Sequence, residues 1–347
     1  MSKCHQQLVK VMAMLGLEGF VAVRHGRGRP RHDRASMARV FVAKAIWNLP
    51  TTRATLDRLR VDPVLRRLCG WETVGQLPDE TVFSRAFAEF AQTEFPQRVH
   101  AALIQRTQAK RLVGHILRDA TAIEAREKAQ PKPAKAKPAP RSRRHRSSQP
   151  KPLEKMTRLE RQCSGRMTLE QMCAELPRAC DVGCKTNSKG NQSVWIGYKL
   201  HLDVADGQIP ISCLLTSASL HDSQVAVPLA LWTAQRLTNC YDLMDTAYDS
   251  QDIREHSRKL GHVPIIEPQK RGSQEPIMDP HQRVRFRERT TVERVISRLK
   301  DEFGGRFVRV RGCAKVMAHL MFGILALTAD QILRLAPLPA SPVSPSP

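Results

Sequence analysis

The sequence predicts an α/β fold in which a mixed sheet flanked by helices follows a small all-helical domain. Residues 1–105 show helical spacing of apolar side chains, whereas strand-like segments begin near residue 110. Residues 128–155 are rich in Pro, Lys and Arg with almost no apolar side chains, so we expect a disordered basic insertion. The length of 347 residues fits about two domains, since domains typically contain about 100–200 residues.

The charge balance restricts the possible partners. The formal net charge is +23 and the isoelectric point is about 10.2, while 41% of the residues are hydrophobic, enough for a sizeable core. A chain this basic favours a polyanion, and nucleic acid is the usual one. The alternative is a basic tail on an otherwise neutral domain, but Lys and Arg also recur outside residues 128–155.

The apolar runs give no sign of a membrane protein. Residues 1–7 are polar and lack the apolar stretch of a secretory signal. The longest apolar run, residues 320–329, is too short to span a bilayer and is flanked by His319 and Asp330. We therefore expect a buried terminal helix and no membrane partner.

The cysteines favour a reducing compartment. There are nine, an odd number, which indicates free thiols in a cytoplasm more than a disulfide framework. Four of them cluster loosely without a C-x2-C spacing or a histidine at ligand distance, so free thiols are preferred over the alternative of a structural zinc site. These four are Cys163, Cys173, Cys180 and Cys184.

The first 105 residues predict a helical domain. Residues 37–49 have helical apolar spacing, and Thr51 and Thr52 offer a cap for a helix over residues 56–68, which residues 69–71 then stop. A further helix opens at residues 78–81. Two interpretations remain open: a helix-turn-helix-like element that binds DNA ends, or a bundle that only packs on the following domain.

A short basic segment precedes these helices. Arg27-Gly28-Arg29-Pro30-Arg31 resembles the arginine-glycine-arginine-proline cores that insert into A·T-rich minor grooves. Arg27 and Arg29 are therefore candidate DNA-binding residues.

The second part of the chain alternates strands and helices. After a strand at residues 115–123 comes an insertion, residues 128–192, with one helix at 169–176 and then a Gly/Asn/Ser loop. Strands follow at residues 195–204, 209–216, 241–245 and 263–266, the first two forming a hairpin, with helices at 225–237, 251–260 and 287–302. This is the element order of a ribonuclease-H-like fold, which we assign to residues 110–335, with a disordered tail at 336–347.

Three acids fall on the elements that carry the active site in such a fold. Asp119 lies in the first strand, Asp245 ends the fourth predicted strand, and Glu293 lies on the late helix. In that fold the two strands are neighbours and the helix crosses them. Three converging carboxylates can hold two hard divalent cations, which prefer oxygen ligands.

Helical spacing places two cations beside Glu293. At about 100° per residue, Arg289, Glu293, Ser297 and Lys300 lie within a sector of about 80°, next to an apolar sector that can pack on the sheet. Arg289 and Lys300 would suit the phosphates next to a scissile bond. The alternative is an ordinary amphipathic helix with solvated charges.

At these residues the chain resembles the insertion-sequence DDE transposases of prokaryotes. Their motif around the last acid runs Tyr, two residues, Arg, three residues, Glu, six residues, Lys; Arg289, Glu293 and Lys300 match it, with Phe286 in place of the tyrosine. Residues 245–248 fit the motif around the second acid, and residues 119–121 fit the first. Residues 68–71 and 78–81 look like the helical domain that precedes the catalytic core.

The resemblance implies a function and its cofactors. It implies cleavage of double-stranded DNA at terminal inverted repeats and joining of the 3′-hydroxyls to target DNA. Asp119, Asp245 and Glu293 would bind two Mg²⁺ or Mn²⁺ ions, in a homodimer or higher oligomer on DNA. Two alternatives stay open: an inactive DNA-binding relic or repressor, and a ribonuclease-H-like nuclease without strand transfer.

Overall fold

The computed structural model describes residues 1–21, 32–109, 111–131, 156–186, 190–269 and 278–336. Arg27, Arg29 and residues 337–347 lie outside these ranges, as does most of the basic tract at 128–155. What was predicted for them therefore stays a prediction.

The N-terminal part consists of helices, as predicted. Its described helices are α1 (Lys3–Leu15), α2 (Arg34–Ile46), α3 (Thr52–Val61), α4 (Pro63–Cys69), α5 (Glu80–Gln92) and α6 (Phe95–Gln108). The single helix predicted over residues 56–68 is wrong, because Asp62 and Pro63 divide it. Pro63 begins α4, and the Asp62 carboxylate accepts a hydrogen bond from the Leu65 amide at 3.0 Å.

The second part is built on a six-stranded mixed sheet. Its strands are β1 (Leu112–Glu124), β2 (Asp181–Thr186), β3 (Gln192–Ala205), β4 (Ile209–Ser217), β5 (Thr238–Met244) and β6 (Val263–Ile266). β3 pairs antiparallel with β1, β2 and β4, while β1 pairs parallel with β5 and β5 with β6. The β3–β4 hairpin and the adjacency of β1 and β5 are as predicted.

Strand β2 was not predicted, since a loop was expected before residue 192. It pairs with the beginning of β3, and Gly183 lies against the Trp195 indole: a Cβ on Gly183 would lie 2.4 Å from a ring carbon. Glycine is required there because the indole covers the strand so closely. Asp245, expected on a fourth strand, therefore follows the fifth.

The remaining helices lie around this sheet. They are α7 (Arg158–Cys163), α8 (Leu169–Ala174), α9 (Ala226–Ala234), α10 (Gln251–Lys259), α11 (Pro280–Phe286), α12 (Thr290–Asp301) and α13 (Cys313–Leu335). The helix predicted over residues 287–302 begins later, because a 3-10 turn, Arg287–Arg289, separates α11 from α12. Helix α12 packs on β1 and β3 with Val292, Val295 and Leu299 buried.

Helix α13 joins the two parts of the chain. By length and composition it could cross a membrane, so the apolar segment is longer than the run at residues 320–329 suggested. In the structure it is mostly buried, packed against α1, α2, α5 and α6 on one side and β4 on the other. The Phe322 ring lies 5.4 Å from that of Phe41 and 6.1 Å from that of Phe90, centroid to centroid. This packing accounts for the apolar composition of α13.

Candidate active site

The parallel pairing of β1 and β5 brings Asp119 and Asp245 together. Arg118 is in register with Met244, so the two acids occupy the next positions along adjacent strands. Each carboxylate is fixed by a backbone amide: Asp119 accepts from Ala120 at 2.8 Å, and Asp245 accepts from Ala247 at 3.0 Å. The sheet register thus aligns acids that are more than a hundred residues apart in sequence.

The Arg289 guanidinium lies among the carboxylates of the three predicted acids. Its Nη2 lies 3.6 Å from Asp119 Oδ2 and 3.4 Å from Asp245 Oδ2, and its Nη1 lies 3.9 Å from Glu293 Oε1. The two aspartates are mostly buried, whereas the Glu293 side chain is 57% exposed. The structure therefore brings Asp119, Asp245 and Glu293 around one guanidinium.

Burial dominates the electrostatics of this cluster. Burial raises the pKa of Asp119 from its usual 3.8 to about 6; Arg289 opposes the rise and Asp245 adds to it. Burial also raises the pKa of Asp245, again opposed by Arg289. The Nε of Arg289 is itself buried with no hydrogen-bond partner. Arg289 therefore acts as the counter-ion of carboxylates that water solvates poorly.

The donor set fits hard divalent cations in its chemistry, because it offers carboxylate oxygens. Their present spacing is wider: among the described residues no three His, Cys, Asp or Glu side chains are grouped closely enough to hold a metal ion. The Arg289 guanidinium lies between the carboxylates instead. Binding of a cation by all three acids therefore requires Arg289 to withdraw.

Lys300 lies beside this cluster, as its helical spacing predicted. Its Nζ donates to Thr121 Oγ1 at 2.7 Å, and Thr121 follows Asp119 by two residues on the same face of β1. Burial lowers the pKa of Lys300. Phe286, where a tyrosine was expected, lies under Arg289, with its ring centroid 5.9 Å from the guanidinium carbon.

The unpredicted strand β2 contributes a further cation. Lys185 lies near enough to lower the pKa of both Asp119 and Asp245. Its role was not predicted, because residues 181–186 carry little of the apolar alternation typical of a strand. The only sign of β2 in the sequence is the strand that follows it, β3, because β2 is defined by its pairing with β3.

Other acids near the site have different partners. Asp222 pairs with Lys199 at 2.8 Å, while the His221 side chain caps the 3-10 turn Asp222–Val225. Asp203 accepts two hydrogen bonds of 2.7 Å from Arg118 inside the core. Asp206 accepts from the His115 amide.

Two family models match the chain. Residues 177–329 match the family model of the transposase DDE domain, and residues 5–89 match a model described as transposase domain (DUF772). The first match contains Asp245 and Glu293, while Asp119 precedes it and joins the site through β1. Searches of curated proteins and of solved structures returned no match.

The six-stranded mixed sheet, with helices on its faces and an insertion after β1, is a ribonuclease-H-like fold. Together with the helical transposase domain before it, this confirms the resemblance to insertion-sequence enzymes. The chain thus contains a transposase DDE domain preceded by a second transposase domain, an arrangement consistent with an insertion-sequence DDE transposase.

Proposed function

We propose that the protein cuts DNA at the ends of an insertion sequence and joins the freed 3′-hydroxyls to target DNA, with Asp119, Asp245 and Glu293 as its catalytic acids. The observation that carries the proposal is the position of Arg289, whose guanidinium lies within 4 Å of all three carboxylates. A cluster of acids held around one internal cation supports a site built for external cations.

The three acids, the metal ions and the two nucleophiles would have distinct roles in the reaction. The three carboxylates would hold two Mg²⁺ or Mn²⁺ ions, which supply activation of the attacking oxygen and stabilisation of the leaving oxygen. Asp119 and Asp245 are oriented by the Ala120 and Ala247 amides, so their oxygens are fixed before DNA arrives. Water would be the first nucleophile and a DNA 3′-hydroxyl the second.

The cations around the site would bind the DNA backbone. Arg289, once withdrawn from the acids, and Lys300 would contact phosphates next to the scissile bond. Arg27 and Arg29 would contact DNA from the N-terminal part, which we assign to recognition of the terminal inverted repeats. We further propose a homodimer or higher oligomer on DNA, acting in the cytoplasm.

An oligonucleotide assay tests the proposal. Labelled duplexes carrying the terminal sequences that flank the gene would be incubated with protein and Mg²⁺, with Ca²⁺ or EDTA as controls. We expect nicking with Mg²⁺ and, after addition of a target plasmid, joined products. Asp119→Asn, Asp245→Asn and Glu293→Gln should each abolish cleavage, while a gel shift should show end binding retained.

The outcome separates the three possible functions. Cleavage without joined product would identify a nuclease that lacks strand transfer. Binding without cleavage would identify a relic or repressor, and Phe286→Tyr would then test whether the absent hydroxyl is responsible. Retained cleavage in any one acid variant would remove that residue from the catalytic set.

A further inference from the structure

A cavity lies between the N-terminal helices and α13, away from the three acids. Its volume is about 290 Å³, and α2, α5, α13 and the segment between α12 and α13 form its walls. Phenylalanine rings cover much of the surface. They are Phe41, Phe87, Phe303 and Phe322.

The charged groups of this cavity all carry, or can carry, positive charge. Lys44, Arg311, Lys315 and His319 line it, and no carboxylate does. Lys44 is only 9% exposed, and no acid or hydrogen-bond partner for its ammonium group is present in the described residues. Burial lowers the pKa of Lys44 to about 8, with no opposing contribution from an acid.

An unpaired buried ammonium is costly unless something compensates it. Proteins pair such groups with an anion or a set of acceptors. His319 supplies no negative charge: burial lowers its pKa to about 3, so the ring is neutral, and its Nε2 donates to the Gly304 carbonyl at 3.0 Å. Arg311 and Lys315 lie exposed at the cavity and add more positive charge. The described lining of the cavity therefore favours an anion as its ligand.

The position of the cavity indicates which anion. A groove of about 380 Å³ is lined by residues 122–126, Lys300 and residues 305–309. Arg311 links the two spaces, because its Nε donates to the Arg126 carbonyl at 3.0 Å while its side chain lines the cavity. Lys300 in turn lies beside the acid cluster. Arg126, Lys300, Arg306 and Arg309 thus line a route from the acids to the cavity, together with one carboxylate, Glu124.

We propose that this cavity binds one nucleotide, with its phosphate on Lys44, Arg311 and Lys315 and its base against the phenylalanine side chains of the lining. Phosphate suits the cations, and a flat base suits aromatic walls, as in other single-strand binding sites. The proposal deepens the proposed function by adding a second DNA contact. A free nucleotide has the same chemistry as a nucleotide within a strand, and the experiment distinguishes these sources.

Calorimetric titration of the full chain in EDTA tests the site without catalysis. The ligands are dAMP, a short single-stranded oligonucleotide and inorganic phosphate. We expect Lys44→Met to weaken binding of dAMP or of the oligonucleotide by about tenfold or more, because a charge-assisted contact contributes about 1.5–3 kcal/mol. Ser84→Trp, at an exposed residue of the lining, should block entry with a similar loss. The exposed Lys10→Met is the matched control.

Each titration result either supports or overturns the nucleotide site. Lys44-dependent binding of dAMP supports a site for any nucleotide, and Lys44-dependent binding of the oligonucleotide alone supports a site for DNA. Equal binding by wild type and Lys44→Met, or phosphate binding as tight as dAMP binding, overturns the proposal. Because no cleavage is measured, an inactive enzyme would sink the proposed function without affecting this result.

Discussion

Replacing Asp119 by Asn should stabilise the metal-free protein while abolishing cleavage. The carboxylate is buried, and its pKa is raised from 3.8 to about 6. Holding it ionised at pH 7 therefore costs about 3 kcal/mol relative to the unfolded chain. Asparagine keeps the acceptor for the Ala120 amide and carries no charge, but it removes one of three partners of Arg289. We expect the free energy of unfolding to rise by about 1–3 kcal/mol.

The stability gain of Asp119→Asn should depend on pH. Because the folded pKa of Asp119 lies above the unfolded value, the folded state binds the proton more tightly. Wild-type stability is therefore reduced above pH 6 and recovers as the pH falls from 6 towards 3.8. The advantage of Asp119→Asn should fall to about half by pH 5 and mostly vanish by pH 4.

Urea unfolding in EDTA at pH 7, 5 and 4 measures the effect. Glu293→Gln is the matched control: its side chain is largely exposed, so it should lose cleavage without gaining stability. A less stable Asp119→Asn protein at pH 7, or a stability gain that does not change with pH, would refute the argument that burial destabilises the ionised Asp119 carboxylate.

Three further variants test the scaffold and the cations. Arg118→Ala leaves Asp203 buried without its ion-pair partner and should cost about 3–5 kcal/mol in urea unfolding; an effect below 1 kcal/mol would contradict this. Gly197→Ala should destabilise the protein and lower cleavage, because a Cβ there would lie 2.1 Å from the Ile123 carbonyl oxygen on β1; wild-type stability would show that the strands can shift. Lys300→Met should reduce cleavage at saturating DNA more than it weakens end binding in a gel shift, and the reverse order would assign Lys300 to general affinity.

Much of the fold follows from local pattern. β3 and β4 alternate apolar and polar residues or carry continuous apolar runs, and a turn at Asp206-Gly207 joins them, so the hairpin is visible in the sequence. The position of Glu293 next to an apolar helical face is likewise a matter of spacing alone. These features depend on neighbours within about ten residues.

Other features depend on contacts that no local pattern contains. β2 has little apolar alternation and is a strand because β3 supplies its hydrogen bonds. Arg289 could be assigned to phosphate from its spacing, but its place among three carboxylates results from the β1–β5 register and the turn before α12. The Arg118–Asp203 pair joins residues 85 positions apart.

Helix α13 has a consequence for the order in which the chain is made. It is synthesised late, yet Phe322 completes the aromatic core formed by Phe41, Phe87, Phe90 and Phe95. A nascent or prematurely terminated chain ending before residue 313 would expose those rings to water. Such fragments would be substrates for chaperones and proteases. They would not accumulate as stable fragments, so only chains that include α13 would fold completely.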